Sequence, residues 1–189
     1  MLFVQKTKRT SAVDNLGHGS FILSLLADPN FGIIPEANFH IFRIFTDNQV
    51  SFTSWYLEAF NYLIRKTRKE SSNPTIINLS IGGPDHNDHL LIDKIIELAE
   101  NNILLVSAVG NDGPTYGSVN TPADLDMVIS VGALNENGDG PAVFSSRGFS
   151  KYGDKNGFSG SVKPDLLGEA NNLLGYDLEA NLITLSGTS

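Results

Sequence analysis

An α/β domain in three layers, built on a mostly parallel sheet, is the fold this sequence predicts, and three observations carry it. Stretches apolar on both faces recur along the chain, the mark of strands buried inside a sheet. Between them lie segments of about a dozen residues with helical apolar spacing. Glycine-rich turns close the strand stretches. Strands alternating with helices in this way form right-handed βαβ units around a sheet covered on both faces. The 189 residues, 41% of them hydrophobic, suffice for one such domain and are too few for a second.

In chain order, Phe21, Ile22, Leu25 and Leu26 recur at helical spacing after Ser20, which is placed to act as an N-cap. His18 therefore falls just before or at the start of a buried helix. The run "FHIFRIF" sets Phe39, Ile41, Arg43 and Phe45 on one face and His40, Phe42 and Ile44 on the other, which fits a central strand. Trp55, Leu57, Phe60, Leu63 and Ile64 give a helix ending near Arg68, before the turn-forming "ESSNP". "TIINLSIGGP" from Thr75 and "ILLVSAVGNDG" from Ile103 read as buried strands closed by glycines, with a helix over "LLIDKIIELAENN" between them. "MVISVGAL" from Met127 adds a strand, Ser146 to Gly160 is a glycine- and serine-rich loop region, and "NLITL" is a strand leading to the terminal "SGTS". No internal repeat is evident.

A formal net charge of −8 provides no basic field to gather phosphates, which argues against nucleic acid as a partner. The one basic run, Arg65 to Lys69, suits the C-terminal end of a helix. With no cysteine, disulfides and thiolate metal sites are excluded, and the redox compartment cannot be read. No signal peptide opens the chain, and no apolar run approaches the ~18 residues of a membrane span. Both termini read as cut.

In parallel sheets chemistry collects at the carboxyl ends of the strands, which here carry "SIGGP" and "GNDG". His18 stands between Gly17 and Gly19, where no neighbouring side chain crowds its ring. By itself it is equally a helix-capping or core histidine. Asn111, at a strand end bracketed by Gly110 and Gly113, is an amide that could stabilise an oxyanion, or a turn asparagine. Ser189 follows Gly187 and needs a base to become nucleophilic; without one it is a solvated terminal residue.

The conjunction decides between these readings. "DNLGHGS", "NLSIGGP", "SAVGNDGP", "FSSRG", "KPD" and "SGTS", in this order across nearly the whole chain, resemble the subtilisin-like serine proteases, or subtilases. "HIFRIFTDNQVSFTSWYLEAFNY" and "VSAVGNDGPTYGSVNTPAD" resemble more finely the pyrolysin-like branch that cleaves membrane and secretory precursors in the Golgi. The resemblance implies a subtilisin-like fold and protein or peptide substrates. It implies His18 as general base, Asn111 as oxyanion-hole amide and Ser189 as nucleophile. Asp14 would border the pocket for the second residue before the cut, Ser80, Ile81 and Gly82 would pair with the substrate backbone, and Ala108, Val109 and Gly110 would wall the primary specificity pocket. It also implies cleavage after leucine or a similar residue with arginine four positions before the cut, for which Asp85 and Asp88 are candidate partners. A secretory-pathway location, in Golgi or ER membranes, follows, with membrane contact only through parts of a parent protein outside this chain. Calcium is common in the family, yet no complete oxygen-rich loop marks a site here.

Two departures from the family pattern bear on activity. Subtilases carry a triad aspartate in a "DTG" or "DSG" motif well before the histidine, and none precedes Asp14. They also continue past the serine into a buried helix. Residues 1–189 are therefore expected to form part of a catalytic domain, incomplete at both ends and inactive alone, since an unoriented imidazole costs about 10⁴ in turnover in a related triad. The chymotrypsin order of His before Ser is excluded by the helical periodicity, and the α/β-hydrolase order is the reverse of this one. A binder of extended peptides along the "SIGGP" edge, without cleavage, is the alternative.

Overall fold

The computed structural model describes residues 13–69, 74–150 and 160–189. Three helices form where apolar residues recur at helical spacing: α1 (His18–Ala27), α2 (Thr53–Lys69) and α3 (His89–Glu100). Helix α2 buries Ala59, Phe60, Leu63 and Ile64 and carries Lys66, Arg68 and Lys69 in its last turn, where cations suit the helix dipole. Helix α3 buries Ile92, Ile95 and Leu98, and its N-terminus is capped by Asp88, whose carboxylate accepts the Leu91 amide at 3.1 Å.

The strands are β1 (Thr75–Leu79), β2 (Ile103–Ala108), β3 (Ile129–Ala133), β4 (Gly148–Phe149), β5 (Val162–Lys163), β6 (Leu166–Gly168), β7 (Leu173–Tyr176) and β8 (Leu182–Leu185). Four of them form one parallel sheet in the order β1-β2-β3-β6, as the alternation of strands and helices requires. Register aligns Ile77 with Leu105 and Leu79 with Ser107. Side chains alternate in facing, so Ile77, Leu79, Ile103 and Leu105 enter a core shared with Phe60, Leu63, Ile92, Ile95 and Leu98. Helix α2 packs on α3, and α3 on β2. On the opposite face Ile76 is 63% and Leu104 40% exposed.

Two expectations need correction. "FHIFRIF" is not a strand of the sheet, because no described strand pairs with it. Its alternation is real, with Phe42 and Ile44 buried in the core and Ile41 39% exposed, but a ladder needs a neighbour. Between this extended segment and β1 lies a groove of about 910 Å³, lined by Phe39 to Phe42 on one side, Thr75 to Asn78 on the other, and by Gly19, Ile22 and Leu26 of α1. The strand expected over "NLITL" forms as β8, which pairs antiparallel with β7 as a hairpin separate from the parallel sheet. The expected loop from Ser146 to Gly160 contains β4, which pairs antiparallel with β5, while residues 151–159 lie outside the described residues.

Candidate active site

Segments that follow three strands carry the candidate residues. Strand β1 runs out into Ser80, β2 into Val109, Gly110 and Asn111, and β8 into Ser186 to Ser189. The Ser80 hydroxyl donates to the Ser189 carbonyl at 2.8 Å, and the Ser189 hydroxyl donates to the Ser80 carbonyl at 3.4 Å. The Thr188 amide and hydroxyl both donate to Asn111 Oδ1, at 2.9 and 3.0 Å. Because its oxygen is taken, Asn111 presents its amide nitrogen, which lies 3.5 Å from where a Cβ on Gly187 would stand. An exposed side-chain NH₂ held in one orientation is a donor of the kind oxyanion stabilisation asks for.

The backbone around Asn111 is pinned. Gly110 has φ +106°, which strains any residue with a Cβ, and a Cβ there would stand 2.4 Å from Asn120 Nδ2, so glycine is favoured. Its carbonyl accepts the Ser146 amide at 3.0 Å, and the Ser146 hydroxyl accepts the Asp112 amide at 3.0 Å. Val109 is fully buried with Val119 and Ala123, so its side chain belongs to a small core and only its backbone is left to form a wall, whereas Ala108 is half-buried. The "SGTS" turn is held by Gly187 N donating to Ala170 O at 2.9 Å and Asn172 N donating to Ser186 Oγ at 2.9 Å.

His18 stands at the start of α1. Helix α1 starts at His18 itself, after Gly17 at φ 84°, so Ser20 is inside the first turn and is not the N-cap. Asp14 does the capping: Oδ1 accepts the Leu16 and Gly17 amides at 2.9 and 3.0 Å, and Oδ2 accepts the Ser20 amide and hydroxyl, both at 2.9 Å. These amides are the donors a helix start leaves without partners. Burial works to raise the Asp14 pKa, but the Ser20, Leu16 and Gly17 amides and the Ser20 hydroxyl outweigh it and hold the carboxyl below 3.8.

Helix α1 packs on the β7–β8 hairpin. A Cβ on Gly175 would stand 2.7 Å from the Phe21 ring, and Tyr176 N donates to Ser24 Oγ at 3.1 Å. The hairpin that ends in "SGTS" is thus seated on the helix that begins with His18. Half-burial pushes the imidazole below 6.5 against the pull of the nearby Asp14 carboxylate, which favours the neutral form a general base needs. Among the described residues no hydrogen bond joins His18 to Ser189.

So Ser80 meets Ser189 and Asn111 meets the adjoining Thr188, while the described contacts connect His18 to them through the hairpin. Of the candidate arginine partners, Asp88 caps α3 and accepts the Thr53 hydroxyl, and Asp85 accepts the Asn87 amide through Oδ1 at 3.0 Å. The sequence reading missed Thr188, which orients Asn111; its position inside "SGTS" was the available signal. It also missed the buried Lys163, which donates to Val128 O at 3.1 Å and Asp165 Oδ2 at 2.8 Å within "KPD". Among the described residues no group of three or more His, Asp or Glu side chains is arranged to hold a metal, and no helix is long and apolar enough to cross a membrane.

Residues 4–189 match the profile of the Peptidase_S8 (subtilase) family. The chain is 45% identical over 185 residues to membrane-bound transcription factor site-1 protease of Mus musculus, and 43% identical over 186 residues to subtilisin-like protease SBT6.1 of Arabidopsis thaliana. Each alignment covers 97% of this chain and 17% of the relative, so the chain spans about a sixth of their length. Among solved structures, the S41 psychrophilic protease superposes with a TM-score of 0.80 at 25% identity, covering 96% of this chain and 61% of that one. Sphericase superposes with a TM-score of 0.79 at 24% identity, covering 98% and 63%, a likeness of fold. With its motifs in family order, a parallel sheet that carries serine and asparagine at its edge, and a match over nearly its whole length, the chain belongs to the subtilase family of serine proteases.

Proposed function

We propose that this chain carries the histidine-to-serine part of a site-1-protease-like endopeptidase that cleaves membrane or secretory precursor proteins through an acyl-enzyme. The observation that carries the reading is Asn111, whose oxygen is held by the amide and hydroxyl of Thr188, the residue next to Ser189, which orients its amide nitrogen as a donor. In the reaction, Ser189 Oγ attacks the scissile carbonyl carbon while His18 takes its proton. Asn111 Nδ2 donates to the oxyanion. His18 then returns the proton to the leaving amine, and water hydrolyses the ester by the same route. Ser80 to Gly82 pair with the peptide backbone, Ala108 to Gly110 form a wall of the pocket for the residue before the cut, and Asp14 borders the next pocket.

His18 still needs a carboxylate to orient it. The groove between residues 39–42 and β1 supports a place for one: it is lined by Phe39 to Phe42 and by Thr75 to Asn78, it offers the unpaired edge of β1, and it borders Gly19, next to His18. A strand seated there would complete the sheet and deliver an aspartate to the imidazole. The relatives' description as membrane-bound supports a secretory-pathway membrane as the site of action. A second reading, peptide binding without cleavage, is favoured by the absence, among the described residues, of a His18–Ser189 hydrogen bond.

The test compares the chain alone with a chimera flanked on both sides by the corresponding segments of mouse site-1 protease. Both are offered peptides with arginine four positions before a leucine cut site, and both are treated with a fluorophosphonate. The chimera should cleave and label at Ser189, and the chain alone should do neither. A chimera that folds and binds the peptide but never labels would establish the non-cleaving reading, and turnover by the chain alone would remove the need for a strand in the groove.

A further inference from the structure

The loop past β1 is fastened at a point the reaction does not use. Gly83 and Thr121 exchange backbone hydrogen bonds, Gly83 N to Thr121 O at 3.1 Å and Thr121 N to Gly83 O at 2.9 Å. A Cβ on Gly82 would stand 2.9 Å from Thr121 O, so the end of the Ser80 to Gly82 segment lies directly on the same loop. Three residues beyond Gly83, His86 Nδ1 stands 2.9 Å from both Thr121 Oγ1 and Asp124 Oδ2. A carboxylate oxygen only accepts, so Nδ1 carries the hydrogen and directs it at Asp124.

Asp124 is only 2% exposed, and its Oδ1 is buried with no hydrogen-bond partner among the described residues. With one oxygen already unpaired, the hydrogen from His86 is what keeps the second from the same penalty. The imidazole therefore has a strong reason to stay where it is, and it takes the Gly83 to His86 loop with it. At the other end of this short path Ser80 exchanges hydrogen bonds with Ser189.

We infer that His86 is a positioning residue: through Nδ1 it locks the loop after β1 to Thr121 and Asp124, and so sets the Ser80 to Gly82 edge at the height a bound peptide backbone requires. The inference rests on the peptide-binding role proposed above for that edge. It predicts an effect on peptide affinity that depends on a donor at the Nδ1 position and not on ring bulk.

The experiment uses the whole chain with two substitutions, H86F, which keeps the ring and removes the donor, and H86N, whose amide nitrogen stands the same number of bonds from the backbone as Nδ1. Two quantities are read: amide hydrogen exchange at Gly83 and Thr121 by NMR, and binding of a fluorescein-labelled arginine-to-leucine peptide by fluorescence polarisation. In H86F both amides should exchange about tenfold faster and the peptide should bind about tenfold more weakly, a change of about 1.4 kcal/mol, with the α3 amides unaffected. H86N should restore both. Unchanged exchange and binding in H86F, or an H86N that behaves like H86F, overturns the inference. Wild-type chain that binds no peptide while exchange responds as described overturns the peptide-binding reading and leaves the lock standing. If H86F does not fold, T121V, which removes one acceptor of the shared hydrogen, replaces it and should show the same two changes in smaller degree.

Discussion

The two sides of β1 are built by different rules. Toward β2, every residue of β1 has a register partner, and the buried side chains meet α2 and α3 in one continuous core. Toward the Phe39 to Phe45 segment the strand edge is unpaired and faces a groove. Ser80 and Asn111 leave the ends of paired strands and meet Ser189 and Thr188 respectively, while His18 opens α1, whose Gly19, Ile22 and Leu26 line the groove. Precise chemistry is easiest to hold where backbone hydrogen bonds and packing act on the same strand, and the hydrogen-bonded half of the site is on that side.

The comparison can be broken most decisively at the reacting groups. In the site-1 protease chimera, S189A and H18A should each reduce turnover by roughly 10⁴-fold or more, and S189A should abolish fluorophosphonate labelling. Replacing Asn111 by alanine should lower kcat by about 10²–10³-fold with a smaller change in KM, the magnitude measured for an oxyanion-hole asparagine in a subtilisin. A loss in KM alone would assign Asn111 to binding and not to the transition state.

Adjacent residues of β1 sharpen the contrast in stability. Ile77 is 1% exposed and Ile76 63%, so I77A should cost about 2–5 kcal/mol in urea unfolding and I76A no more than about 0.5 kcal/mol. Equal losses would mean that the groove side is covered in solution. At the start of α1, D14A should cost about 0.5–2 kcal/mol near neutral pH. Because the folded Asp14 pKa lies below 3.8, its contribution is full above 3.8 and is lost as pH falls through the folded value. The wild-type and D14A stabilities should therefore converge in acid.

The smallest expected effect is the titration of His18. Its folded pKa lies below 6.5, so just under 6.5 the unfolded chain binds a proton that the folded chain does not. Stability should rise with pH from the folded value to 6.5 and gain nothing more from this group above it. An NMR titration midpoint for the His18 ring at or above 6.5 would contradict the burial that the structure gives it.

Local pattern was enough for much of the fold. Helices α2 and α3 and the strands β1, β2 and β3 lie where apolar periodicity puts them, because each buries its face against a neighbour close in sequence. "FHIFRIF" shows the limit, since alternation selects which side chains are buried but cannot supply the strand alongside. Ser20 shows it again at the start of α1, where a capping residue is recognised by reach, and Asp14 reaches six residues along the chain to the Ser20 amide.

By itself the sequence determined the family, the order of the functional motifs and the residue types at the site, since these depend only on which residues follow which. Tertiary structure decided what those residues do to one another. Thr188 turns Asn111 so that its nitrogen is presented, across a separation of 77 residues. Ser80 meets Ser189 across 109, and His86 finds Asp124 across 38. The hydrogen bond is short in range and strict in direction, so its partners are settled only when packing has brought distant segments within about 3 Å of each other.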